Sequence, residues 1–326
     1  MPGTQTSLRY YWGLGKQGIK GTSTAPTIFP RWLDGSSIMP KLGATRVLEG
    51  DGSRDASFTL KNLQDWSAPL QCYPRPIEGG QLIAATFGSG CDSVGGIGPN
   101  FSHVLTPQET PDFFTVEAGL MNADLLNRGV DGVNEELVIE GSAGQPIKFT
   151  STFRPLTGAR QAVAAVVTVE TGYPYLYSGG TFTVDGGLSV FVTKFKLTFK
   201  NGIDRPQTNA VTAEDNVWGR RTLDAEYSLL FQSDALFRKM FYGNAGGLTD
   251  SQVVGQGSLD LMLFPGGDIT NPQTMELTVP TVDYWGDAPL PNLAGKVFTY
   301  DVKGYATRGG VPIMSATVIN SKAAAY

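Results

Sequence analysis

Histidine is nearly missing from this chain, with a single residue in 326, and cysteine occurs only twice. His103 alone cannot furnish the Cys and His set of an ordinary zinc centre, and a triad would need a serine and a carboxylate that no local pattern supplies. It reads as a loop histidine without a special role. Cys72 and Cys91 are separated by a Pro- and Gly-rich stretch. The first residues carry neither the basic start nor the apolar stretch of an export signal, so the two read as reduced thiols. No window reaches the apolar length of a membrane span, which leaves a cytoplasmic protein without membrane contact as the expectation. Charge is also scarce, at 17% of residues, and a surface so poor in charge is one that partners cover. The net charge of −5 excludes a strong grip on nucleic acid, which needs clustered Lys and Arg, but not a surface past which DNA slides.

Glycine (41) and proline (20) are abundant and recur between short alternating runs, the pattern of a mainly β chain with many turns. The length exceeds what one core usually fills, so two domains are expected. Residues 1–40 read as an extended arm, loosened by Gly13, Gly15, Gly18 and Gly21. Its Pro-punctuated strip with Ile28, Phe29 and Trp32 is expected to dock on a neighbouring subunit or on its own barrel. A first β-sandwich or barrel spans 41–155, with strands near 57–61, 113–118, 135–140 and 146–154, a short helix near 80–87 and a long loop at 88–112. A linker at 156–180 leads to a second such domain at 181–310, and 311–326 form a tail.

The second domain is the more sharply written. Asp185-Gly186-Gly187 between two apolar runs signals a hairpin. Phe191, Thr193, Phe195, Leu197 and Phe199 then share one strand face, with Lys194, Lys196 and Lys200 on the other. After a loop ending at Trp218, Leu223, Ala225, Tyr227, Leu229 and Phe231 point inward, and Asp224 and Glu226 outward. If these strands pair with each other, or across a subunit boundary, the basic and acidic faces match. Ser233 or Asp234 caps a helix with Leu236, Phe237, Met240 and Phe241 on one side and Gly243 at its end. Strands follow near 257–264, 274–280 and 296–307. The two halves share a succession: 52–60 with 219–229, Leu82-x4-Phe87-Gly88 with Leu236-x4-Phe241-Tyr242-Gly243, 136–139 with 276–279, and 147–153 with 297–303. A duplicated unit without visible chemistry points to assembly.

The catalytic and ligand patterns fail on context. Gly13-x-Gly15-x-x-Gly18 matches a dinucleotide string but lacks the strand and helix that would seat a phosphate. Asp51, Ser53 and Asp55 open like a calcium loop, yet Ala56 and Asn62 stand where Gly and Glu are required. Glu135-Glu136 and Asp283 with Asp287 have no fixed separation that would make a glycosidase pair. No cofactor or metal is expected.

Three stretches resemble the major tail tube proteins of long-tailed bacteriophages, siphoviruses among them. They are Gly18-x-x-Gly21-Thr-x-x-Ala-Pro26-Thr-x-Phe29-Pro, then Phe114-Thr-Val-Glu117-x-Gly119 continuing through Val133-Asn134-Glu-x-Leu137 to Gly141-x-x-Gly144-x-Pro146-Ile, and Phe195-x-Leu-x-Phe-x-Asn201-Gly-Ile. The resemblance implies β-sandwich or barrel tube units with a flanking helix, and with the duplication read above the expectation is a mainly β chain of two such units in tandem. It also implies a non-enzymatic virion protein, assembled in the host bacterial cytoplasm, whose stacked rings conduct double-stranded DNA. Its partners would be itself, the tape measure protein and the tail terminator and distal tail proteins. Asp224, Glu226 and Asp260 are then expected to face the lumen. Ile28, Phe29, Trp32, Lys194, Lys196 and Trp218 are expected at subunit contacts. Two units per chain would let three chains close a pseudo-hexameric ring, in preference to six. A carbohydrate-binding β-sandwich adhesin or a capsid-decorating protein shares this composition and is the alternative. A glycan-degrading enzyme would need convergent carboxylates in a cleft.

Overall fold

The computed structural model describes residues 10–47, 58–121, 125–185, 188–189, 191–206, 213–230, 234–244, 246–247, 254–266, 273–285, 299–309 and 311–326. In the first half the strands are β1 (Tyr10–Lys16), β2 (Met39–Val47), β3 (Phe58–Cys72), β4 (Asp92–Ile97), β5 (Asn100–Leu105), β6 (Phe114–Leu120), β7 (Asn127–Ser142), β8 (Lys148–Arg154) and β9 (Thr157–Arg160), with helix α1 (Pro76–Phe87) after β3. The second half contributes β10 (Tyr175–Val184), β11 (Leu188–Ser189), β12 (Val192–Lys200), β13 (Ile203–Asp204), β14 (Val217–Trp218), β15 (Thr222–Leu230), helix α2 (Asp234–Tyr242), β16 (Gln256–Pro265), β17 (Thr274–Trp285), β18 (Thr299–Ala306) and β19 (Ser315–Asn320). Seventeen of these strands belong to one antiparallel network, and β13 and β14 pair separately.

The order of pairing repeats. In the first half it runs β1–β6–β7–β8–β3–β2, with β9 also on β7. In the second it runs β10–β16–β17–β18–β15–β12, with β19 also on β17. Each helix follows the corresponding strand at the same distance: Pro76 comes four residues after Cys72, and Asp234 four after Leu230. The helices therefore occupy corresponding places, although counting from these starts sets Leu82 against Met240 rather than Leu236. Counted the same way, β15 matches residues 64–72 at the end of β3, and residues 52–57 of the expected match lie outside the described residues. Among the described residues two strand ladders join the halves, β12 along the C-terminal part of β7 and β19 along β5.

Local sequence explains the elements. β8 alternates, burying Phe149, Ser151 and Phe153, and β12 buries Phe195, Leu197 and Phe199. α1 starts earlier than its apolar run because Pro76 is favoured in the first turn and the Glu78 carboxylate accepts from the Arg75 N–H at 3.2 Å. It ends at Gly88, whose φ of 97° suits a residue without Cβ. Nearly all of α1 is buried, so packing rather than propensity holds it.

Several expectations are corrected. The 88–112 loop contains the β4–β5 hairpin, turning at Gly98 (φ 59°), and β5 is held by β19 from the far end of the chain. Residues 10–16 of the expected arm are strand β1, which buries Trp12 and Leu14. Gly13 and Gly15 are small there because Phe29, Pro26 and Ala25 press against them. The 201–218 loop carries the β13–β14 bridge, and residues 157–160 form β9. Phe191 is 64% exposed, because a register shift between Val192 and Lys194 breaks the parity that was to turn it inward. His103 is no loop residue: it lies buried on β5. Gly186, Gly187, Phe231, Ser233, Asp287 and the calcium-like Asp51, Ser53 and Asp55 lie outside the described residues.

Candidate functional site: a charge-alternating sheet face

β12 and β15 pair directly, so the basic and acidic faces meet. Across five strands one row reads Lys148 on β8, Glu140 on β7, Lys196 on β12, Glu226 on β15 and Lys303 on β18, each directly opposite the next. Charges alternate at every step, the arrangement that direct cross-strand pairing favours. Other rows of the face hold Lys194 with Asp301 at 3.7 Å and Lys200 with Glu136 at 3.5 Å, and Lys196 lies 3.8 Å from Glu140. These side chains are partly solvated, so each pair contributes about 1 kcal/mol or less. Asp224 stands between Thr198 and Tyr305 on the same face. A concavity of about 480 Å³ opens over the row from Lys148 to Lys303, with Tyr73, Pro146, Lys148, Lys196, Glu226 and Lys303 among its walls.

Asp224, Glu226, Lys194 and Lys196 are thus brought together on one face. Asp260 is apart from them, on β16 between Thr183 and Thr278. The aromatic end of the face gave no signal in the alternation alone. Trp285 and Tyr305 stack with centroids 4.9 Å apart at 12°, both 46% exposed, and the Lys303 Nζ lies 5.6 Å from the Trp285 ring centre.

The remaining expected contact residues pack within their own chain. Phe29 is buried against Tyr11, and Ile28 bridges Leu14. Trp32 meets Tyr10 edge-on and donates from Nε1 to the Tyr10 carbonyl at 2.9 Å. Trp218 lies beneath the Arg221 guanidinium and beside Gly88.

Buried polar groups mark three structural junctions. Glu117 is fully buried, accepting from the Tyr11 hydroxyl and from Arg128 Nε at 2.6 Å, and from the Ala165 N–H at 3.3 Å. At the start of α1, the Glu170 carboxylate accepts from the Ile77 N–H at 3.2 Å and the Glu78 N–H at 3.1 Å. Burial, with the Glu170 charge adding to it, pushes the Glu78 carboxyl up to about 7, and burial raises Glu170 as well. His103 Nδ1 lies 2.8 Å from Asp92 Oδ2 and Nε2 lies 2.8 Å from the Lys322 carbonyl oxygen. The tail docks: Tyr326 is buried, its N–H donates to Asp92 at 3.0 Å, and Asn320 bonds its hydroxyl. Cys72 and Cys91 are free and buried, and burial raises both thiols.

The fold is that of a mainly β protein built on a large antiparallel network, with its charged side chains spread over a sheet face. The model of a phage tail tube protein family matches residues 13–283, and the chain belongs to that family. A search of the curated proteins finds no match. Among the described residues no helix is long and apolar enough to cross a membrane.

Proposed function

We propose that this protein is the repeating subunit of the tail tube, with three copies closing each ring as a pseudo-hexamer and the rings stacking into the conduit for DNA. The observation that carries this reading is the repeated pairing order, together with the β7–β12 junction: one unit already receives the next along a sheet edge. Its domains are then 41–155 and 181–310, with 156–180 bridging them and covalently replacing every second interface of a six-unit ring. The face with Asp224 and Glu226 lines the lumen, and Asp260 lines it further along. Because Lys196 stands opposite both Glu140 and Glu226, phosphates passing over it meet compensated charge and little reason to bind. The role is structural rather than catalytic. The tape measure protein and the tail terminator and distal tail proteins are its expected partners in the virion, after assembly in the host cytoplasm.

Averaged end-on electron micrographs of the assembled protein test this reading. Three-fold rings with six similar lobes are expected. Six chains per ring would keep the tube and remove the pseudo-hexamer, and a chain that stays monomeric at every concentration would overturn both.

A further inference from the structure

Within the chain, the hairpin arm of the second half (β12 through β13 and β14 to β15) lies across one end of the first half. Arg205 pairs with Asp65 and donates to the Pro155 carbonyl at 2.5 Å. Asn216 donates to the carbonyls of Asp131 at 3.0 Å and Arg154 at 2.8 Å, and Asp215 meets Lys20 at 2.6 Å. The ground under this arm is the end of β8 and the stretch of β3 beside it.

The second half offers the corresponding ground at the end of β18 and the start of β15. Arg154 and Ala306 each end the last strand of their hairpin, opposite Val133 and Val282 respectively. By the same correspondence the place of Asp65 falls at the start of β15, beside Arg220 and Arg221. That ground is a hollow of about 590 Å³ walled by Arg220, Arg221, Thr307, Arg308, Glu109 and Ile313 among others. Arg221 is engaged by Glu109 at 3.5 Å and by the Gln108 carbonyl. Arg220 and Arg308 are exposed and form no ion pair among the described residues. Where the first half presents a carboxylate to an arginine-bearing arm, the second presents arginines.

The matching arm of the first half is the β2–β3 hairpin. Its strands carry Lys41, Arg46 and Lys61, but the sequence that connects them, 48–57, reads Leu-Glu-Gly-Asp-Gly-Ser-Arg-Asp-Ala-Ser, with three carboxylates to one arginine. We propose that the Arg220–Arg308 hollow receives this acidic segment from a second copy of the chain. The contact repeats between chains, with its charges exchanged, the one that the second half's arm makes within a chain. It rests on the tube reading, since copies must stand side by side. Guanidinium forks suit carboxylates, and partners whose charges are reversed relative to the internal contact keep each arm from the wrong seat.

The test uses the full chain and follows assembly by light scattering and electron microscopy. The variants are Arg220→Glu with Arg308→Glu, Glu49→Lys with Asp51→Lys and Asp55→Lys, and the two sets combined. Each set alone is expected to raise the concentration for half-assembly by about tenfold or more, and the combination to return it to within about threefold of the unaltered protein. Unchanged circular dichroism and Tm show that every variant folds. If the arginine variant assembles like the unaltered protein, or the combined set assembles no better than the single sets, the proposal is wrong while the tube reading stands. Unimpaired assembly together with loss of binding to a short DNA duplex would make the hollow a phosphate site and equally overturn the proposal. If the unaltered protein never assembles, the tube reading fails and takes the proposal with it.

Discussion

The side chain of Tyr326 lies against Gly80 in the middle of α1, so close that a Cβ on Gly80 would stand 2.7 Å from the Cε2 of the ring and nearer still to the hydroxyl. The last residue of the second half is thus seated on the buried helix of the first, and the absence of a side chain at one helical position makes room for it. Gly80→Ala would ordinarily favour a helix, by about 1 kcal/mol. Here it is expected to destabilise by about 1–3 kcal/mol through overpacking, with residues 321–326 becoming accessible to protease. Chemical denaturation and limited proteolysis would show both. A stabilised variant with a protected tail would refute this.

The His103 ring faces two acceptors, the Asp92 carboxylate and the Lys322 carbonyl. His103→Phe fills similar space but leaves the Lys322 carbonyl without that donor. A loss of about 1–3 kcal/mol is expected, with faster amide exchange in the 320–326 segment than in β12. Exchange measured by mass spectrometry separates this local effect from general loosening.

Glu78 gives stability a defined pH dependence. Its folded pKa of about 7 lies above the ordinary 4.5, so its contribution is fully present below about 4.5 and is lost as pH rises through about 7. Glu78→Gln is expected to flatten this part of the profile, gaining on the unaltered protein by up to about 3 kcal/mol between pH 5 and pH 8. Parallel denaturation curves at the two pH values check it, and an unchanged difference between the two proteins would remove the assignment.

The charge row predicts an asymmetry at Lys196. Lys196→Ala forgoes solvated pairs and should cost less than about 1 kcal/mol. Lys196→Glu sets a carboxylate directly between Glu140 and Glu226, and should cost about 1–2 kcal/mol, with part of the loss recovered in high salt. Denaturation midpoints at low and high ionic strength distinguish the two.

Much of this was legible where a strand repeats with strict period two. The buried set Phe195, Leu197, Phe199 and its lysine face were readable, as were Leu223, Ala225, Tyr227 and Leu229 with Asp224 and Glu226 outward, because each strand has one apolar face. Phe191 was misread since a register shift is invisible to periodicity. The β4–β5 hairpin was hidden by Gly95, Gly96 and Gly98, and by the fact that its partner β19 lies more than two hundred residues away. Glu170 gave no signal at all: it is an acid in an irregular connection, and only the fold brings it to the first-turn N–H groups of α1.

The junction of β12 with β7, seven residues in register from Lys194 opposite Ser142 to Lys200 opposite Glu136, lies within one polypeptide. Its formation is therefore a first-order event, governed by the tether between the strands and indifferent to how many copies the solution holds. Dilution that separates copies of the chain leaves this seam closed, so any larger assembly begins from paired units that are already correctly oriented.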